Sequence, residues 1–170
     1  MILTITFENL LMKNLFVPIG FCLMIISGAA FSAEKPLWGG AVAKHIDYKA
    51  QKVVYDVNVK TLGAMNSVLD RASFLSKITG ADPFDSSIVL VLHGPEIEFF
   101  ARKNYSKYKE LMHRAQSLVE GETLKIRMCK LAAEGHGFKP SQIHGFVKMV
   151  PMGDAEIIRL QNEEHHAYMQ

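Results

Sequence analysis

Cys22 and Cys129 are the two cysteines of this chain, and they fall in regions of opposite character. Cys22 lies in an apolar N-terminal run, whereas Cys129 sits where a run of strand character gives way to a helical one. If the leading segment is removed, Cys129 is the one sulfhydryl left and has no internal disulfide partner. Two readings of it stand open. As a thiol at a helix N-terminus, with Arg127 and Lys130 beside it in sequence, it is biased towards the nucleophilic thiolate. As a small apolar side chain it fills core space, as free cysteines commonly do. His93 and Gly94 end an earlier apolar strand and become neighbours of Cys129 if the two strands lie close in a sheet. The chemistry available to such a set is thiol exchange with an external partner, with His93, Gly94, Arg127 and Lys130 in support. It needs no cofactor.

Metal chemistry has weaker support. His93, Cys129, His136, His144, His165 and His166 are scattered, without the tight ligand spacing of a CxxC pair or an HExxH helix. His165 and His166 are adjacent, so on a helix they diverge by about 100°. No metal site is expected from this pattern.

The compartment is read from the leader. Leu15 to Ile26 is mostly apolar, follows Lys13, and precedes the small residues Ser27, Gly28, Ala29 and Ala30, the order of a secretory signal peptide. It is shorter than the roughly 20 apolar residues that span a bilayer. Ala30 and Ser32 supply the small positions for cleavage before Ala33, so residues 1–32 are read as a leader and the mature protein as periplasmic, with no membrane association once the leader is gone. Glu8 opposes a positive n-region while Met12 followed by Lys13 suits one, so Met12 is a candidate true start. The leader carries one Lys and one Glu, leaving the net charge at +2; with no basic surplus, nucleic acid is not an expected partner. The remaining chain, about 138 residues, is the size of one ordinary domain.

The elements that must position these groups follow from period. Residues 33–50 form an arm around Trp38 and Gly39-Gly40 without sustained period, and 51–170 form the domain. Lys52 to Val59 is rich in β-branched residues and predicts a strand. Met65, Val68, Leu69, Ala72, Leu75 and Ile78 recur at helical spacing between a Thr61 cap and a Gly80 stop. Ile88 to Leu92 predicts a strand buried on both faces. A second helix runs from about Ser106 to Glu120; Leu124 to Met128 alternates like a half-exposed or edge strand; Cys129 to Glu134 turns helical; Phe146 to Val150 is a fourth strand closed by Pro151. A last helix begins near Asp154, with Gly153 and Asp154 as turn and cap, and runs to Glu163-Glu164-His165-His166. Phe99 and Phe100 form an apolar patch for core or oligomer contact, and Arg102-Lys103 a solvated basic tip. Strands alternating with helices predict an α/β fold: an open, mostly parallel sheet of about four to five strands with helices on both faces.

Cys129, Ala132, Ala133 and Gly137 after a strand, with His93-Gly94 earlier, resemble the cysteine region of the DsrE/DsrF-like family. The run VPMGDAEIIRLQ from Val150 to Gln161, followed by Ala167-Tyr168-Met169, resembles the secreted branch of that family; the likeness spans about Lys52 to Met169. The resemblance implies a compact DsrE-like fold, homo-oligomers (dimer, trimer or hexamer), and Cys129 as an acceptor of sulfane sulfur that holds a persulfide and passes it to a partner thiol. The rival expectation is an oligomeric binding or scaffold module of the same fold with an inert Cys129.

Overall fold

The computed structural model describes residues 38–170 except 81, 83 and 123. The expectations placed on residues 1–32, including Cys22 and the Met12 start, lie outside the described residues. Two units are distinguished, the first ending at Ala43 and the second spanning Lys44–Gln170. In the first, residues 38–43 are exposed and carry no helix or strand. The arm remains irregular through Gln51, and Trp38 is solvent-facing.

Among its described residues the second unit holds five strands and four α-helices: β1 (Lys52–Val57), α1 (Leu62–Ile78), β2 (Ser87–Leu92), α2 (Lys109–Glu120), β3 (Lys125–Cys129), α3 (Lys130–Gly135), β4 (Lys148–Val150), α4 (Gly153–Glu164) and β5 (Ala167–Met169). All pairings are parallel, in the order β4-β3-β2-β1-β5. The chain therefore steps outward from β1 through β2 and β3 to β4, then returns through α4 to lay β5 on the other side of β1. This is the expected α/β fold.

Side-chain alternation divides the sheet into two apolar layers. Val53, Tyr55, Val57, Leu90, Leu92, Ile126 and Met128 pack with α1 and α2 in the larger layer, which also takes in Phe99 and Phe100 from the 3-10 segment Pro95–Phe100. Those two aromatics are core. The opposite layer is small: Val54, Val89 and Val91 against Ile157 and Leu160 of α4. A fully buried side chain of this size contributes roughly 1.5–3 kcal/mol, so most of the stabilisation lies on the α1–α2 side, and α4 covers a face that can also carry polar groups.

Helix ends follow local chemistry. Thr61 Oγ1 accepts from Ala64 N at 3.1 Å, as its cap role requires. Three sequence expectations need correction. Of the two positions expected for β3 the half-exposed one holds and the edge one does not, since it is flanked by β2 and β4; its alternation arises because Lys125 and Arg127 point to the face that α4 only partly covers. The cap of α4 is Met152, without a side-chain hydrogen bond, and Gly153 and Asp154 are already helical. That helix stops at Glu164, because His165 takes a left-handed conformation (φ 59°), and after His166 the residues Ala167–Met169 form β5.

Candidate functional site

Parallel α/β sheets collect reactive groups where strands end and loops begin, above all at the point where the strand order reverses. Here that point lies between β1 and β5. In register, Val54 pairs with Tyr168, so Asp56, two residues further along β1, lies on the same face and within reach of the phenol. The Tyr168 hydroxyl donates to Asp56 Oδ2 at 2.6 Å. From the other side, His93 at the end of β2 closes a short hydrogen bond to Asp56 Oδ1 through Nε2. Both partners are about four-fifths buried, with side-chain exposures of 22% and 21%.

The electrostatics of Asp56 follow from these contacts. Burial pushes its carboxyl up, but the hydrogen bonds from Tyr168 and His93, with the charge of His93, outweigh burial and hold it below the usual range. Asp56 is therefore the acceptor of the Nε2–H hydrogen bond, and Nδ1 is the ring nitrogen that this contact leaves uncommitted. The Tyr168 phenol is raised by its hydrogen bond to Asp56, by desolvation and by the carboxylate's charge, which keeps it a donor.

On the next strand, Cys129 is the register neighbour of His93. Leu92 pairs with Met128, which sets His93 beside Cys129 on strands about 4.8 Å apart. Gly153, the first residue of α4, sits over the pair: a β-carbon there would lie 3.2 Å from Cβ of His93 and 3.3 Å from Cβ of Cys129. Only glycine lets the helix approach this closely without displacing one of them. Cys129 is 6% exposed, and its Sγ accepts from Ala132 N at 3.4 Å as the cap of α3.

The structure brings His93, Gly94 and Cys129 to one edge, and it gives the two cations acidic partners. Arg127 pairs with Glu156 of α4, and Lys130 reaches Glu134 at 3.7 Å. Their charge is thus directed mainly to carboxylates. Gly94 has a backbone role. A β-carbon there would meet Asn58 Oδ1 at 2.4 Å and Glu96 Oε2 at 2.8 Å, so a larger residue would have to push aside the Asn58 amide and the Glu96 carboxylate.

Sequence reasoning missed Asp56, Tyr168 and Glu96. Asp56 carried a signal, a lone carboxylate inside the β-branched run of β1. Glu96 is fully buried, and its two oxygens accept from Gly94 N at 2.7 Å and Val59 N at 2.9 Å. It ties the ends of β1 and β2 together beneath the site. Nothing in the PEIEFF sequence separates this acid from a solvated one.

The remaining histidines lie elsewhere. His144 stacks on Phe146, and burial together with Arg102 holds its pKa down. His166 donates from Nδ1 to Leu160 O at 3.2 Å while its buried Nε2 has no partner. Among the described residues no three His, Cys, Asp or Glu side chains gather as a metal site. Burial depresses the pKa of His166 despite the opposing Leu160 carbonyl and Glu164. The unfolded chain then takes up a proton more readily than the folded one, so stability is full above the ordinary value of 6.5 and declines as pH falls below it. Urea midpoints measured at pH 7.5 and 5.5 are expected to differ in that direction, and the difference to shrink in His166→Gln.

No family model matches the chain, and no curated protein matches it. A solved structure does, "Protein of Unknown Function MTH1491 from Methanobacterium thermoautotrophicum", with 19% identity, coverage of 70% of this chain and 97% of that one, and a TM-score of 0.53. At that identity the likeness concerns the fold. Among the described residues no helix is long and apolar enough to cross a membrane.

Proposed function

We propose that this is an exported sulfur-handling protein, acting in the periplasm in the manner of the DsrE/DsrF-like family, in which Cys129 accepts sulfane sulfur as a persulfide. One observation carries the reading: Cys129 and His93 lie side by side beneath Gly153, and the His93 ring is bonded through Nε2 to an aspartate held below its usual pKa range. Base and orienting acid beside a nucleophile form the arrangement that activates a weakly acidic thiol or hydroxyl.

In this reading His93 takes the Cys129 proton on Nδ1, and Asp56 stabilises the imidazolium. The thiolate attacks the outer sulfur of a persulfide or polysulfide donor; the donor's S–S bond breaks, its electron pair leaves on the donor thiolate, and that thiolate recovers the proton from His93. Delivery is the same exchange with a partner thiolate attacking the outer sulfur of Cys129–S–SH. Neither step needs an oxidant, a metal or a nucleotide. Homo-oligomerisation and a partner thiol protein belong to the same proposal.

Purified protein treated with polysulfide and weighed by intact-mass spectrometry is expected to gain sulfur on Cys129, with no gain in Cys129→Ser. Equal uptake by both proteins, or none by either, removes the reading. The 6% exposure of Cys129 favours a second one, a binding or scaffold module of this fold with an inert thiol. Thiol labelling that is slow in the folded state and fast in urea, without sulfur uptake, selects that alternative.

A further inference from the structure

Asp56 lies between two strands that each send it a donor. In register it pairs with Val91 of β2, and alternation brings His93 to the same face as Val91; on the other side Val54 pairs with Tyr168 of β5, which turns the phenol to that face as well. His93 holds Oδ1 through Nε2, and the Tyr168 hydroxyl holds Oδ2 at 2.6 Å. The torsion that turns an aspartate carboxylate is broad when one oxygen is held. Held at both oxygens from opposite sides, the group keeps one plane. Anchoring of the chain end does not account for the phenol. The Tyr168 ring is 42% exposed and fills little core, while β5 is already tied to β1 by main-chain pairing and by Met169 packed on the larger apolar layer.

The other charged and titratable groups around the pair are engaged elsewhere. On the α1 side, Arg71 donates through Nη1 to Gln170 O at 3.0 Å and lies 5.4 Å from the centre of the Tyr55 ring. From the segment after β2, Glu96 accepts from Gly94 N and Val59 N. On the α4 side, Arg127 pairs with Glu156, and Cys129 Sγ accepts from Ala132 N. Burial pushes the Asp56 carboxyl up, and among the contacts that hold it down the Tyr168 hydrogen bond is the largest. How Asp56 presents itself to His93 is thus decided from the last strand.

We propose that Tyr168 is a positioning residue of the His93–Asp56 pair, its phenol fixing Oδ2 so that Oδ1 stays on Nε2 of His93 and the imidazole keeps one orientation. For its chemical use the inference rests on the sulfur-acceptor reading, which it deepens by assigning the aim of the base to β5. Tyr168 exchanges no proton with the thiol, and no bond to it forms or breaks. It acts through Asp56, as second partners of an orienting carboxylate do when they hold a reactive group within a few tenths of an ångström.

The test is Tyr168→Phe, which keeps the ring and removes the donor. The Asp56 carboxyl, titrated by carbon NMR, is expected to move up by about half a unit or more, the scale of one hydrogen bond to a charged group. The Nε2–H proton of His93 is expected to exchange with water about fivefold or more faster, and loading of Cys129 from polysulfide, followed by intact mass, to slow by about fivefold or more. Unchanged exchange of the ring proton overturns the assignment. So does slower loading with the Asp56 titration unmoved, which places the effect in the strand rather than the phenol, and so does loading at the wild-type rate with the titration moved. Failure of the transfer reading is separable: a wild type that takes up no sulfur removes that reading, and the ring proton still decides the positioning. Should Tyr168→Phe lower the melting temperature, 3-fluorotyrosine in place of Tyr168 keeps the strand and gives a stronger donor; it is expected to move the Asp56 titration down, and no movement overturns the proposal.

Discussion

His93→Gln is expected to slow persulfide formation on Cys129 by about 10²-fold or more near pH 7, the scale on which a positioned base contributes. The expectation rests on the commitment of Nε2 to Asp56, which leaves Nδ1 for the thiol proton. The pH profile separates this role from a packing one. Where solution hydroxide deprotonates a cysteine unaided, above its ordinary pKa of about 8.5, the gap between wild type and variant should close. A fixed gap at every pH means that His93 supports the local structure and moves no proton. Asp56→Asn should slow loading in the same pH range, because an amide no longer secures the ring tautomer.

A second large effect is expected at Glu96, on stability. Its carboxylate receives two backbone N–H groups, Gly94 and Val59, from two different strand ends. In Glu96→Gln one of those donors faces an NH₂ group in a fully buried position, and a buried unsatisfied donor costs about 1–3 kcal/mol. Thermal melting should show a loss of several degrees. Since Gly94 adjoins His93 and Val59 adjoins Asn58, the variant should also load sulfur more slowly than its folded fraction accounts for. An unchanged melting temperature would show that the two N–H groups find other acceptors and that the tie is dispensable.

The layout of the sheet was legible because it is set by the apolar periodicities of β1, α1, β2 and α2, which the hydrophobic effect makes almost obligatory. Thr61 capped α1, and Cys129 stood at the strand-to-helix junction where the change of period placed it. What escaped was determined by neighbours distant in sequence. Ala167–Met169 received no strand assignment, because three residues carry no period; the left-handed turn at His165 and pairing with β1 make them a strand. The same blindness hid Tyr168 as a partner of Asp56. Arg127 and Lys130 were legible as cations beside the thiol but not as partners of Glu156 and Glu134, since ion pairing depends on how helices lie over the sheet.

The hydrogen bond between Tyr168 and Asp56 joins residues 112 positions apart, and this has a consequence for biogenesis. Contacts of such long separation are disfavoured by loop closure and form late. A chain synthesised only as far as α4 has β1 to β4 but not the strand that supplies the phenol. The phenol's contact with Asp56 is therefore made only after translation reaches the end of β5. Until then Asp56 is held by His93 alone.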